Sequence, residues 1–262
     1  MSDRRQRQKE RRAAKREAER KHEARRELGR RLLTALVFGV IVVGIFAVSG
    51  LFEGEQEDLP GSYDDFRDQT TACGGDQPPS EQVMTFSEPG TVAGLADAPS
   101  ATATIVTSCG EIVIDLNLEE APETVNSFTF LAQEGFYDGQ VIHRVSEDFL
   151  FQGGDPNADG TGGPGYVIAD EYPEDDFEYE EGVVAMANRG SRSTGSQFFV
   201  ITGDSGRFLT NNFNVLGTVV SGQEAIEGIM AVDTAVAPGS REQSLPLETV
   251  YIESITTEIS GS

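Results

Sequence analysis

An uncharged stretch of 21 residues, LLTALVFGVIVVGIFAVSGLF at positions 32–52, constrains this chain more than any other feature. At about 1.5 Å of rise per residue, a helix of that length spans roughly 30 Å, which is the thickness of the hydrocarbon core of a bilayer. A buried core helix is the alternative, but uncharged runs this long are typical of membrane spans. The sequence therefore predicts a single transmembrane helix over residues 32–52.

The charges on the two sides of this stretch differ in sign. Residues 1–31 carry 14 Lys/Arg and 6 Asp/Glu, whereas the remaining 231 residues carry 6 Lys/Arg and 38 Asp/Glu. Because positively charged flanks stay inside the cell, we expect residues 1–31 to be a basic cytoplasmic tail of a single-pass protein of the cell membrane, with the acidic body outside the cytoplasm. The tail and the anchor would both contact membrane lipid.

Two alternatives to this arrangement stay open. The stretch AVSG at 47–50 resembles a cleavage site, so the apolar run could be a removed signal peptide, although its charged leader is long for one. The basic tail could itself be the functional element and bind nucleic acid or a ribosome. The strongly acidic body argues against nucleic acid as its own partner, since phosphate contacts need Lys and Arg.

The chain has two cysteines, Cys73 and Cys109, and both lie beyond the apolar run and directly before a glycine. An oxidising compartment would permit a disulfide between them, which would pin the segment before the domain onto its first hairpin. Two unpaired thiols are the alternative. Two cysteines and one nearby histidine cannot supply a four-ligand zinc site.

Residues 53–100 are rich in Pro, Gly and acidic residues and are interpreted as a spacer, although the part MTFSEPGTVAG could pack on the domain edge. A folded domain is predicted over residues 101–262. It opens with a hairpin, followed by a helix that begins near Pro122 and ends at Gly135. A second helix is predicted at 222–231, and further strands at Val141–Arg144, Phe149–Gln152, Val183–Ala187, Phe198–Thr202, Val215–Val219 and 248–259. This pattern indicates a mainly β barrel or sandwich with helices.

Most catalytic chemistries lack their residues in this domain. It has one histidine, His143, and no serine in a Gly-x-Ser-x-Gly elbow. The glycine-rich run GTGGPGY at 160–166 lacks the Gly-Lys-Ser/Thr ending of a phosphate-binding P-loop. The acidic run at 170–181 is interpreted as a solvated loop without the spacing of a calcium loop. What remains is Arg144 with amides and aromatic side chains, which suits a reaction that needs no nucleophile.

Prolyl isomerisation is such a reaction. Amide resonance sets a rotation barrier of about 18–20 kcal/mol, and the twisted transition state has lost that resonance. An apolar pocket can hold the proline ring while an arginine stabilises the twisted amide, so that catalysis is differential binding of the twisted form.

A series of motifs carries a resemblance to a known family: FYDGQVIHRV, FLFQGGDP, GTGGPGY, VVAMANRG, TGSQFFVIT and RFLTNNFNVLGTVVSG. In this order and spacing, over roughly residues 101–260, they resemble the cyclophilin family of peptidyl-prolyl isomerases. The resemblance implies a closed eight-stranded antiparallel β-barrel capped by two helices, prolyl isomerase activity and no cofactor or metal. It also implies proline-containing, unfolded or flexible polypeptides as partners; we expect a monomer.

The resemblance assigns roles to individual residues. Arg144 matches the catalytic arginine, Gln152 the glutamine that orients it, and His143 a mostly structural histidine. Substrate-binding positions match Phe149, Leu150, Ala187, Asn188, Gln197, Phe199, Phe208, Leu209 and Phe213. Two of these depart from the commonest pattern, because Phe208 stands where well-known members have Trp and Phe213 where many have His or Tyr.

These matches predict an isomerase that assists the folding of exported or envelope proteins. Phe208 lacks the indole N–H donor, so binding of the inhibitor cyclosporin should be weaker than in members with Trp. A module that binds proline-containing segments without turnover is the alternative function.

Overall fold

The structure is a computed structural model that describes residues 59–80, 84–237 and 239–261. The predicted tail at 1–31 and the predicted anchor at 32–52 lie outside the described residues. Within the part of the chain that is described, no helix is both long and apolar enough to cross a membrane. The described residues all fall in one compact unit, Gly50–Ser262.

The described part of this unit contains ten strands. They are β1 (Ala101–Thr107), β2 (Gly110–Leu116), β3 (Arg144–Ser146), β4 (Leu150–Gly153), β5 (Val183–Met186), β6 (Phe198–Ile201), β7 (Val215–Ser221), β8 (Thr234–Val236), β9 (Gln243–Pro246) and β10 (Ile252–Ile259). Eight of them form one antiparallel sheet in the order β10-β1-β2-β7-β5-β6-β4-β3, while β8 pairs with β9 in a small separate sheet. The predicted mainly β fold with an eight-stranded antiparallel sheet is confirmed.

The sheet curls so that its two outer strands approach each other at one end. The residues before β3 are joined to the start of β10 and the residues before it. Ile142 N donates to the carbonyl of Val250 and Ile252 N donates to the carbonyl of Gln140, and both bonds are 2.8 Å long. The strand predicted at Val141–Arg144 therefore begins only at Arg144, as β3. Val141 makes an isolated bridge to Tyr251 and lies outside the strand. The strand pairings therefore establish a curled, half-barrel sheet.

Side chains of β5 and β6 alternate between two separate apolar clusters, which explains why both strands are apolar at every position. One set joins the main core: Val184, Met186, Phe198 and Val200. The other set belongs to a smaller cluster on the opposite face: Val183, Ala185, Phe199 and Ile201. This second cluster lies under the candidate site, so one pair of strands supports both the core and the site.

Three α-helices pack on the unit: α1 (Tyr63–Arg67), α2 (Pro122–Gln133) and α3 (Gln223–Met230). The helix α2 buries Val125, Phe128 and Leu131 on one face, as its periodicity predicts. Its first turn has no capping bond from the preceding residue. Instead, the carboxylate of Glu171 accepts hydrogen bonds from the backbone N–H groups of Glu123 (3.0 Å) and Thr124 (2.8 Å).

The described parts of the segment interpreted as a spacer, 59–80 and 84–100, belong to the folded unit. Helix α1 buries Tyr63 and Phe66, and the Tyr63 hydroxyl donates to the carbonyl of Gly139 at 2.7 Å. Farther along, Val92 and Leu95 join the main core. Pro- and Gly-rich composition indicates the absence of long helices and strands here, but a few well-spaced apolar side chains are enough to anchor an irregular segment.

Cys73 and Cys109 form a disulfide that attaches this segment to the turn between β1 and β2. The bridge packs against α3 at Gly228, where an added Cβ would lie 3.2 Å from Cys73 Sγ and 3.5 Å from Cys109 Cβ. A glycine at this helical position therefore gives the disulfide its room. No apolar pattern marks α1, β8 or β9 in the sequence, and these elements were not predicted.

Candidate active site

Arg144 opens β3 and lies directly opposite Gln152 of β4 in the antiparallel register. Opposed residues of paired strands project to the same face, so the two side chains meet. Arg144 Nη1 donates to Gln152 Oε1 at 3.3 Å. The guanidinium carbon lies 5.5 Å from the centre of the Phe149 ring, within the range of a cation–π contact.

A carboxylate from a distant part of the chain holds the other side of this guanidinium. Glu242 lies just before β9, and its two oxygens accept hydrogen bonds from Arg144 Nη2 at 2.7 Å and Arg144 Nε at 3.1 Å. Ser146 Oγ donates to the same carboxylate at 2.9 Å. Burial alone raises the pKa of Glu242, but the hydrogen bonds and charge of Arg144 outweigh it and hold that pKa below its usual value. The carboxylate is therefore ionised at neutral pH.

A chain of amides continues from Gln152 across the site. Gln152 Nε2 donates to Gln197 Oε1, and Gln197 Nε2 donates to the carbonyl of Gly162, both at 2.9 Å. Gly162 approaches Asp155 so closely that an added Cβ would lie 2.1 Å from Asp155 Oδ1, which accepts the Gly162 N–H at 2.9 Å. Within the glycine-rich run at 160–166, Gly162 is therefore closely packed and its carbonyl holds the side chain of Gln197.

The smaller apolar cluster borders this polar chain. Phe199 and Phe213 pack edge to face with ring centres 5.4 Å apart, and Leu150 is buried beneath them. Phe149, Ala187 and Leu209 pack around it and are partly buried. Five of the predicted substrate-binding residues are thus brought together in one cluster: Phe149, Leu150, Phe199, Leu209 and Phe213.

Phe208 departs from the predicted pocket. Its side chain is 86% exposed, whereas the next residue, Leu209, packs on the cluster. Phe208 ends a short 3₁₀ turn, Asp204–Phe208, so consecutive residues project in different directions. In this structure Phe208 lies on the surface next to the pocket and is not part of its floor.

Ala187 and Asn188 follow β5 at the edge of the site. Ala187 N donates to the carbonyl of Gln197 at 2.8 Å, so its N–H serves the sheet. The Asn188 side chain donates to the carbonyl of Asn212 at 2.7 Å and accepts from Gly190 N at 3.0 Å. The Asn188 amide thus joins two loops that flank the apolar cluster.

His143 precedes Arg144 but points away from this chemistry. Its side chain is buried, and this burial is the main cause that lowers the pKa of His143. The charge of Arg144 also lowers that pKa, whereas the charge of Asp155 raises it. A histidine with a lowered pKa is neutral at neutral pH. This placement agrees with the structural role that the sequence resemblance implies for His143.

The acidic run at 170–181, interpreted as a solvated loop, contributes a buried support for the site. Tyr179 is fully buried, its hydroxyl donates to the carbonyl of Phe213 at 2.7 Å, and burial raises its pKa to about 12. The loop therefore holds Phe213 from behind. Glu171 of the same run binds the first turn of α2, and the exposed acidic residues of the run begin at Glu174. Over the described residues, no group of three His, Cys, Asp or Glu side chains is arranged to hold a metal ion.

The site as a whole presents one fixed guanidinium beside an apolar cluster. Comparison with known proteins assigns this arrangement to a family. Residues 102–257 match the family model described as cyclophilin type peptidyl-prolyl cis-trans isomerase/CLD. This chain belongs to the cyclophilin family.

Several named isomerases are similar in sequence to this cyclophilin. Probable peptidyl-prolyl cis-trans isomerase B of Mycobacterium tuberculosis is 35% identical over 191 residues, which are 68% of this chain and 61% of that protein. Peptidyl-prolyl cis-trans isomerase B of Streptomyces anulatus is 39% identical over 172 residues, 60% of this chain and 95% of that protein. The chain thus spans about three fifths of the mycobacterial relative and nearly all of the other.

The fold is also found in solved structures. A cyclophilin type isomerase from Cryptosporidium parvum superposes with a TM-score of 0.55 at 23% identity, covering 61% of this chain and 98% of that one. The same protein, solved in the presence of the dipeptide Ala-Pro, gives a TM-score of 0.54. At this identity the likeness establishes the fold alone.

Glu242 is the site residue that sequence reasoning missed. It is 98 residues from Arg144 along the chain, in the run PGSREQSLP, and it is one of 44 acidic residues. Only the packing of β9, from the small separate sheet, against β3 distinguishes it from the others.

Proposed function

We propose that this cyclophilin is a peptidyl-prolyl cis-trans isomerase that acts on X–Pro bonds of exported or envelope proteins from the outer face of a membrane. The observation that carries the activity is the fixed guanidinium of Arg144 at the rim of the apolar cluster of Leu150, Phe199, Leu209 and Phe213. Named isomerases at 35–39% identity support the same reaction.

The geometry supports catalysis by binding. The apolar cluster provides a surface for a proline ring, since burying such a ring removes apolar area from water. Arg144 keeps N–H groups for the substrate amide, which becomes a better hydrogen-bond acceptor when it twists out of conjugation. The amide of Gln152 accepts from the guanidinium and is itself held by the amide of Gln197. No residue of this chain needs to form a covalent bond to the substrate.

The location outside the cytoplasm is supported by two independent features. The uncharged run at 32–52 follows a basic tail, which is the charge pattern of a single-pass anchor with its N-terminus in the cytoplasm. The disulfide between Cys73 and Cys109 is of a kind that persists in oxidising compartments. We also propose that the curled sheet closes into a barrel, which is supported by the hydrogen bonds that join the residues before β3 to the start of β10 and the residues before it.

The test is acceleration of cis–trans exchange in an unstructured X–Pro peptide by the full chain in detergent. We expect strong acceleration by the wild type and a loss of about 100-fold or more for Arg144→Ala, the cost of removing a donor aimed at a transition state. Both proteins should show the same melting behaviour, so that the loss is not one of folding.

A folded wild-type protein that binds the peptide without accelerating its exchange would favour the alternative, a module that only binds proline-containing segments. Equal acceleration by wild type and Arg144→Ala would preserve the enzyme and refute the role of Arg144.

A further inference from the structure

Arg144 has five N–H donors, and the structure accounts for three of them. Glu242 accepts from Nε and Nη2, and Gln152 accepts from Nη1. One donor on each terminal nitrogen is left over. A planar guanidinium held along one whole edge cannot rotate without breaking a charge-assisted pair of hydrogen bonds, so the remaining donors point in a fixed direction.

The carboxylate that holds Arg144 is itself well anchored. Ser146 Oγ donates to the same Glu242 oxygen that accepts from Arg144 Nη2. Glu242 N donates to Ser240 Oγ at 3.0 Å, which fixes the backbone just before β9. Glu242 is thus supported both by β3 and by its own loop.

The pair is only partly shielded from water, with 24% of the Arg144 side chain and 28% of the Glu242 side chain exposed. Ion pairs with this much solvent access contribute little to stability. A bidentate, partly exposed pair on the side chain that we propose as catalytic is better explained by orientation than by stability. An unrestrained arginine would lose its rotamer freedom only when the substrate binds, which weakens transition-state stabilisation.

We propose that Glu242 is a positioning residue that fixes the Arg144 guanidinium in the orientation that stabilises the twisted X–Pro bond. This inference rests on the proposed isomerase activity. Glu242 does not touch the proline-binding cluster, so it should influence the rate of isomerisation on the enzyme and not the affinity for the peptide.

The variants are Glu242→Gln and Ser146→Ala in the full chain. Glu242→Gln replaces a carboxylate that accepts two hydrogen bonds from Arg144 by an amide with a single acceptor oxygen. Ser146→Ala keeps the Arg144–Glu242 pair and removes one support of the carboxylate, so its effect should be smaller and in the same direction. Glu258→Gln is the matched control, since it removes the same charge from an exposed position on β10.

Exchange NMR of an X–Pro peptide gives the on-enzyme isomerisation rate and the Kd separately. We expect Glu242→Gln to lower that rate about tenfold and to leave the Kd within about twofold, the signature of an interaction used in the transition state. Glu258→Gln should match the wild type. An unchanged or increased rate in Glu242→Gln, or a loss confined to the Kd, would overturn the proposal.

A second readout does not depend on activity. The Nε–H group of Arg144 should give a slowly exchanging NMR signal in the wild type that shifts and exchanges faster in Glu242→Gln. An unchanged signal would overturn the positioning role. A wild-type protein without isomerase activity would refute the proposed function, while this signal would still decide whether Glu242 orders the guanidinium.

Discussion

Removing the disulfide tests whether the segment before β1 is an integral part of this cyclophilin. Cys73 and Cys109 are 36 residues apart in the sequence, and the bridge closes that loop in the unfolded chain as well as in the folded one. The chain-entropy relation for a loop of this length gives an unfolded-state entropy loss worth about 4 kcal/mol at 25 °C. The double variant Cys73→Ser/Cys109→Ser should lose about that much stability.

The folded structure should survive this change. Tyr63 and Phe66 of α1 remain buried without the bridge, and Thr71 keeps its backbone bridge to Thr249. For a domain of about 200 residues, a loss of about 4 kcal/mol corresponds to a decrease in Tm of roughly 8–16 °C. A typical domain is stable by about 5–15 kcal/mol, so the variant should still fold at room temperature.

Urea unfolding followed by circular dichroism measures this difference. The urea dependence of the unfolding free energy should also steepen in the double variant, because an unfolded chain without the cross-link exposes more surface. Thiol alkylation of the denatured wild type should find no free cysteine. A stability difference below about 1 kcal/mol with a fully oxidised wild type would refute the loop-entropy reasoning. Free thiols in the wild type would refute the bridge and the support that it gives to an oxidising location.

Three further predictions concern single side chains. Phe66→Ala should cost about 3–5 kcal/mol in unfolding free energy, because Phe66 is 1% exposed and its removal leaves a cavity; a cost typical of a surface site would show that α1 does not pack on the core. His143→Gln should reduce the loss of stability on acidification below about pH 6.5, the ordinary pKa of histidine. Burial lowers the pKa of His143, so below that pH the unfolded chain binds a proton that the folded chain excludes; equal pH dependence of urea unfolding in both proteins would contradict this. Phe208→Trp should change the unfolding free energy by less than about 0.5 kcal/mol, because the side chain is 86% exposed. The same change should strengthen cyclosporin binding in a calorimetric titration, because it supplies an indole N–H donor. An unchanged affinity would show that the missing donor is not what limits binding.

The local pattern of the sequence determined most of the sheet and the central helix. Alternating β-branched residues in 101–116 correctly predicted the first hairpin, and β5 and β6 lie within one residue of the predicted strands Val183–Ala187 and Phe198–Thr202. Apolar residues recur every two positions along a half-buried strand and about every 3.6 positions along a helix. This repeat involves only neighbouring residues, so it can be recognised without knowing the fold. The run of motifs around Arg144, Gln152 and Gln197 also placed the candidate site before any geometry was known.

Elements without a periodic signal could not be predicted in this way. Helix α1 has five residues, and β8 and β9 have three and four. Elements this short are set by the surface on which they pack. The exposure of Phe208 belongs to the same class, since a 3₁₀ turn decides which of two adjacent apolar residues enters the cluster.

The sequence by itself determined the division of the chain into a basic tail, an apolar run and an acidic body, the strands and central helix of the folded domain, and the identity of the arginine and its neighbouring amides. Only the tertiary structure decided that Glu242 holds that arginine and that one face of β5 and β6 supports the site. It also decided that the described residues between 59 and 100 belong to the folded unit. The physical reason is range. Strand and helix patterns arise from interactions between near neighbours, whereas the Arg144–Glu242 pair joins residues 98 positions apart that meet only when β9 packs against β3.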